Sequence, residues 1–151
     1  MIPSGAVGAG ERLLGMAVDR ANSRHAFGEP IAHYQGIQWL LADSAVELEQ
    51  ARWTTLYAAW RQEKGLDSRM ASSIAKLGGT AMANAVADRA LQIHGALGYT
   101  KELPIERWYR ELRYTRIFEG TDEILRRTIA RELLSGRFTP GDLDYDKEPA
   151  Q

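Results

Sequence analysis

Residues 37–59 read IQWLLADSAVELEQARWTTLYAA. Within this stretch Ile37, Leu41, Ala45, Leu48, Ala51, Thr55 and Ala59 recur every three or four residues, which sets them on one stripe of an α-helix. Glu47, Glu49, Gln50, Arg61 and Glu63 fall mostly off that stripe. No proline interrupts the run, so the spacing predicts one helix over 32–64, about 30 residues and roughly 45 Å long. A helix of that length buries its apolar stripe only against other long helices, and the rest of the chain supplies them.

Upstream, Leu13, Ala17 and Ala21, with Leu14 and Val18 beside them, predict a helix over about 6–24, broken by Gly28 and Pro30 in HAFGEPI. Downstream, Gly65 is a C-terminal cap, and Asp67 or Ser68 an N-cap for the next helix. That helix, 68–94, is crowded with small residues from Ala71 to Ala87, which lets several neighbours approach its axis. GALGYTKELP (95–104) reads as a glycine-rich loop, followed by a short amphipathic helix over 104–113 and a last one over 121–135, closed by Gly136. Few segments alternate with period two and none is bracketed like a hairpin. The expectation is an all-α, up-down four-helix bundle with an additional short helix, occupying 1–136, and an acidic, turn-rich, flexible tail over 137–151.

Composition narrows the function classes. The 151 residues amount to one domain on size grounds. Lysine and arginine total 19 against 20 aspartate and glutamate, so no basic field advertises nucleic acid. Zero cysteines excludes disulfides, thiolate metal sites and a cysteine nucleophile. MIPSGAVGAG (1–10) lacks the basic start and apolar core of a signal peptide, and the uncharged run LGGTAMANAVA (77–87) is too short to span a bilayer. A cytoplasmic protein with no membrane partner is expected. His25, His33 and His94 have no glutamate three residues before them, so the bundle carries no di-iron pattern; no metal is expected, and each histidine is read as a surface or capping residue.

Three stretches have residue types that do chemistry. ERWYRELRYTR (106–116) mixes arginines with Trp108, Tyr109 and Tyr114; Glu106 and Glu111 interrupt it, and i,i+4 pairing on a surface helix accounts for the charges better than nucleic-acid stacking does. Binding of a phosphate-bearing ligand is the other use of such guanidinium forks. In QIHGALG (92–98), Gly95 and Gly98 serve either as a helix cap or as a place where a ligand meets backbone. In RIFEGTDEI (116–124), Thr121 caps the last helix while Glu119, Asp122 and Glu123 complement its positive end. Alternatively Glu119, flanked by Ile117 and Phe118, lies in an apolar pocket whose desolvation would lift it toward the range of a general base.

RHAFGEPIAHYQGIQWLLAD, ALQIHGALGYTKELPIERWYRELR and IFEGTDEILRRTIARELL, in that order, resemble the C-terminal helical domain of flavin-dependent acyl-CoA dehydrogenases, over about Gly5 to Leu134. The resemblance implies FAD-dependent α,β-dehydrogenation of an acyl-CoA thioester, as in fatty acid metabolism. Glu119 matches the family's base, which removes the proton α to the thioester carbonyl while the β-carbon passes a hydride to flavin. It further implies FAD contacts at Arg24, Phe27, Gln35, Gln92 and Gly95, which in the family often reach a neighbouring subunit, and a flavin-lining role for Thr121 and Glu123. Gly120 would let the thioester pass close to backbone, and Arg131 matches an arginine near the substrate. The family loop has a second adjacent glycine where this chain has Ala96.

The family also has an N-terminal helical domain and a middle β-domain without counterpart in these 151 residues, so the chain alone is expected to turn over little or nothing. Self-association as a dimer or tetramer and an electron-transfer partner for the reduced flavin are implied too. The competing reading is a non-catalytic assembly module, pairing with itself or a related subunit through the apolar, small-residue face of 68–94 together with the four tryptophans of the whole chain.

Overall fold

The computed structural model describes residues 2–141. Five helices dominate it: α1 (Ile2–Ser23), α2 (Gln35–Glu63), α3 (Arg69–His94), α4 (Ile105–Tyr114) and α5 (Asp122–Leu134). Short 3-10 turns at Ile31–His33 and Gly95–Tyr99 lead into α2 and out of α3. The helices are where the periodicity predicts them, with ends shifted by a few residues. α1 starts earlier than expected, with Pro3 in its first turn, where a missing N–H forfeits no bond.

α3 is the central helix. It packs on α1, α2, α4 and α5, and Ala75, Gly79, Ala83, Val86, Ala87 and Ala90 are all buried along it. Small side chains hold these axes close, as expected. Pro3 Cα would lie 3.6 Å from a Cβ at Gly79, and Met82 Sδ 2.9 Å from one at Gly10. Leu13, 1% exposed, fills the seam between α1 and its neighbours, and Leu13→Ala there would cost about 2–5 kcal/mol.

The fourth position of the bundle is shared. Asn84 Nδ2 bonds the Leu112 carbonyl at 3.0 Å, Lys76 Nζ bonds that of Gly120 at 2.5 Å, and Arg69 reaches Glu132 at 3.9 Å. As the α3 partner steps down from 84 to 69, the other steps up from 112 to 132. α4 and α5 therefore run in series antiparallel to α3, separated by the turn that contains Glu119.

Three expectations change. Arg24–Pro30 does form a hairpin: β1 (His25–Ala26) pairs antiparallel with β2 (Glu29–Pro30) around Phe27 (φ +54) and Gly28 (φ +91). Positive φ at both central residues is the tight turn that follows the twist of paired strands. Two-residue strands are too short to alternate visibly, and Phe27 is not a residue that announces such a turn. On α2 the buried set is Ser44, Leu48, Ala51, Ala58 and Arg61, while Ala45 and Ala59 are exposed. The opposite face presents Trp39, Val46, Trp53 and Leu56, all more than half exposed. α2 is apolar on two sides, so a stripe one residue off fits the sequence equally well. Finally, His94 is buried, its Nδ1 2.8 Å from the Ala90 carbonyl, whereas His25 and His33 are exposed. Most of the acidic tail, residues 142–151, lies outside the described residues.

Candidate functional site

The turn between α4 and α5 is built by three devices. Tyr114 stacks on Phe118 at 4.8 Å between ring centroids, which draws the chain back on itself after α4. Asp122 accepts from Arg116 Nε at 2.6 Å while its amide donates to the Arg116 carbonyl at 3.1 Å, closing the loop at its ends. Thr121 Oγ1 then accepts from the Ile124 amide at 3.3 Å, capping α5 as the sequence predicts. Between these points Glu119 (φ +50) and Gly120 (φ +95) both take left-handed backbone. For glycine that is free; for glutamate it costs on the order of 1–2 kcal/mol. Among the described residues, the amides of Glu119, Gly120 and Thr121 donate to no protein acceptor.

Glu119 borders a cavity of about 380 Å³ whose lining includes Pro3 of α1, Ala58 and Gln62 of α2, Ser73 and Lys76 of α3, and Leu125 of α5. The expected flanks are elsewhere: Ile117 is 57% exposed and Phe118 is turned onto Tyr114. Glu119 itself is exposed, so the described residues do not enclose it in an apolar pocket. Sequence neighbours were the wrong guide, because a left-handed turn separates the directions of consecutive side chains. Lys76, 6% exposed, is the residue that sequence reasoning missed. Its signal was present: it is the single charged residue in the small-residue run 71–87.

Arg24, Phe27, Gln35, Gln92 and Gly95 gather at the other end of the bundle. Arg24 and Phe27 lie on the hairpin, where Tyr34 Oη donates to the Ala26 carbonyl at 2.8 Å and its ring meets Phe27 edge-on at 6.3 Å. Phe27 is 97% exposed, held outward by the tight turn. Arg24 is exposed and makes no ion pair among the described residues. Gln35 begins α2; Gln92 and Gly95 end α3, all exposed. Gly95 (φ +62) is the C-cap of α3, with no atom within 4 Å of where a Cβ would stand, so capping and ligand approach coexist there. Ala96 keeps negative φ, so its methyl group brings no backbone strain. Lys76 and Gln92 are sixteen residues apart on α3, about 24 Å. The candidates thus form two clusters, one around Glu119, Gly120, Thr121 and Glu123, the other at the hairpin end. Arg131 belongs to neither, exposed in the last turn of α5.

Electrostatically, the α4 arginines are occupied. Arg107 pairs with Glu111 at 2.6 Å and Arg110 with Glu106 at 3.0 Å, both i,i+4 as expected. The Arg110 guanidinium holds the Glu106 carboxyl below its usual range. No three His, Asp or Glu residues cluster to hold a metal, and no helix is long and apolar enough to cross a membrane, among the described residues.

Residues 1–134 match the family described as acyl-CoA dehydrogenase, C-terminal domain. This chain belongs to the acyl-CoA dehydrogenase family. The rat mitochondrial short-chain specific acyl-CoA dehydrogenase is 44% identical over 133 residues, 88% of this chain and 32% of that protein. The (R)-benzylsuccinyl-CoA dehydrogenase of Thauera aromatica is 43% identical over 129 residues, 85% of this chain and 32% of that protein. Among solved structures, butyryl-CoA dehydrogenase from Megasphaera elsdenii superposes with a TM-score of 0.86 at 33% identity, covering 88% of this chain and 35% of that one. The acyl-CoA dehydrogenase C-terminal domain described here thus spans about a third of the length of these relatives.

Proposed function

We propose that this chain supplies the proton-abstracting base and part of the FAD site for α,β-dehydrogenation of an acyl-CoA thioester, and that alone it encloses too little of the site to turn over. The observation that carries the reading is Glu119, a carboxylate held in left-handed backbone at the rim of a cavity. Strain of this kind persists where the surroundings over-determine it and clusters at functional sites. Glu119 takes the proton from the α-carbon. The amides beside it, which donate to nothing among the described residues, suit an oxygen that gains negative charge as that proton leaves. FAD, when bound, accepts the hydride from the β-carbon. Burial of Glu119, which a carboxylate base requires, falls to parts outside this chain, consistent with relatives three times its length.

The hairpin end fits the cofactor. An exposed Arg24 with no ion pair among the described residues suits pyrophosphate, Phe27 offers a fixed aromatic face, and the open backbone at Gly95 admits a close ligand. The separation of about 24 Å along α3 between Lys76 and Gln92 favours service of this end to the flavin of a neighbouring subunit, while Thr121 and Glu123 serve the chain's own. An electron-transfer partner of the full assembly would complete the cycle. The test is Glu119→Gln in the flavin-loaded assembly containing this domain: FAD stays bound and substrate α-proton exchange stops. Persisting turnover would remove Glu119 from the role.

A second reading, assembly without catalysis, is favoured by one observation. The small-residue face of α3 is consumed inside the bundle, but Trp39, Val46 and Trp53 stand exposed at seven-residue spacing on α2. Titration with FAD and an acyl-CoA while following mass separates the two: a stable oligomer indifferent to both ligands selects assembly.

A further inference from the structure

Lys76 is buried at the wall of the Glu119 cavity, yet it makes no ion pair among the described residues. Its one side-chain hydrogen bond there goes to a neutral acceptor, the Gly120 carbonyl, 2.5 Å away and 44 residues on in the chain. Burying an ammonium with so little compensation is costly, and a methionine would fill the same space without that cost. The bond also falls on residues 119–120, the part of the turn that no other hydrogen bond among the described residues holds. Arg116 and Asp122 close the ends of the turn, Thr121 bonds forward into α5, and the amides from 119 to 121 bond to nothing among the described residues. A planar trans peptide carries the Gly120 carbonyl and the Thr121 N–H on opposite edges, so gripping the carbonyl sets the direction of both.

We propose that Lys76 is a positioning residue for Glu119: through the Gly120 carbonyl it holds the turn in the left-handed form that presents the carboxylate to the cavity both residues line. The proposal rests on Glu119 being the base. Its structural half is independent of that reading and has its own measurement.

In this chain, Lys76→Met lowers the 15N order parameters of Glu119 and Gly120 from the rigid range, about 0.85, to below about 0.6, while slow amide exchange along α3 is kept. The chain has no cysteine, so Lys76→Cys aminoethylated in the unfolded chain restores an ammonium at one position, and the order parameters return. Rigid Glu119 and Gly120 in Lys76→Met overturn the proposal. If Lys76→Met also loosens α3, the aminoethylated chain decides: recovered order at the turn supports the proposal, and continued mobility overturns it.

In the flavin-loaded assembly, Lys76→Met slows single-turnover flavin reduction about 10- to 100-fold with acyl-CoA affinity within about threefold of wild type. An equal loss in affinity, or no change in rate, overturns the positioning role. Glu119→Gln is measured alongside. If it retains turnover, the base reading fails and takes the catalytic half of this proposal with it. If it is inactive while Lys76→Met is fully active, only the proposal fails.

Discussion

Arg116 and Asp122 meet twice, side chain to side chain at 2.6 Å and carbonyl to amide at 3.1 Å. The pair closes a loop over the five residues 117–121 between α4 and α5. The Asp122 side chain is 3% exposed and the Arg116 side chain 35%, so the contact is sheltered on the carboxylate's side.

Arg116→Met should therefore lower stability by about 2 kcal/mol, because a buried carboxylate loses its main partner. Arg126 stands 3.7 Å from the same oxygen but is 56% exposed, and Arg126→Met should cost under about 0.5 kcal/mol. Urea unfolding midpoints at constant slope compare them; equal losses would refute the ranking.

Glu119→Gly relieves the left-handed strain, and its gain is partly offset by the greater freedom of glycine in the unfolded chain. A net stabilisation of about 0.5–1 kcal/mol is expected, seen as a higher Tm, together with loss of dehydrogenation in the flavin-loaded assembly. A lower Tm would mean that the Glu119 side chain makes stabilising contacts that outweigh its backbone.

At the end of α5, Arg137 lies 2.7 Å from Glu132 and holds its carboxyl below the usual range. A depressed carboxylate contributes stability above its unfolded value and loses it as pH falls through the folded one. Glu132→Gln should flatten the acid limb of the stability profile below about pH 4.5 and make a near-constant difference at neutral pH. An unchanged acid limb would count against the pair.

Trp39→Ser with Trp53→Ser removes the two largest exposed apolar side chains of α2 without touching the buried set. If self-association uses this face, sedimentation gives a smaller species at equal helix content and an unfolding midpoint within about 0.5 kcal/mol of wild type. Unchanged mass would direct attention to another surface.

The helices were legible because long 3.6-residue periodicity survives local noise, and Gly65 and Gly136 mark their ends as expected, at φ +70 and +69. The face of α2 was not, since Trp39, Val46 and Trp53 repeat as regularly as Leu41 and Leu48 do. The hairpin escaped because its four paired residues carry no pattern. For the site, the sequence placed Thr121 correctly as a cap and brought Glu119 forward by resemblance. It could not say that Ile117 and Phe118 turn away, nor that Lys76 arrives from 44 positions upstream. Those facts belong to tertiary packing, which no local spacing encodes.

The serial arrangement of α4 and α5 has a mechanical meaning. Three uninterrupted helices form a stiff frame, and the fourth strut is cut at one point. A continuous helix keeps its backbone groups bonded to itself and aims its side chains by a fixed rotation. The cut leaves three amides without an acceptor among the described residues and lets one carboxylate leave that rotation. Shortening or lengthening the cut by one residue would re-aim the carboxylate and leave the frame standing. The joint, rather than the frame, is where variants of this architecture can change what they reach.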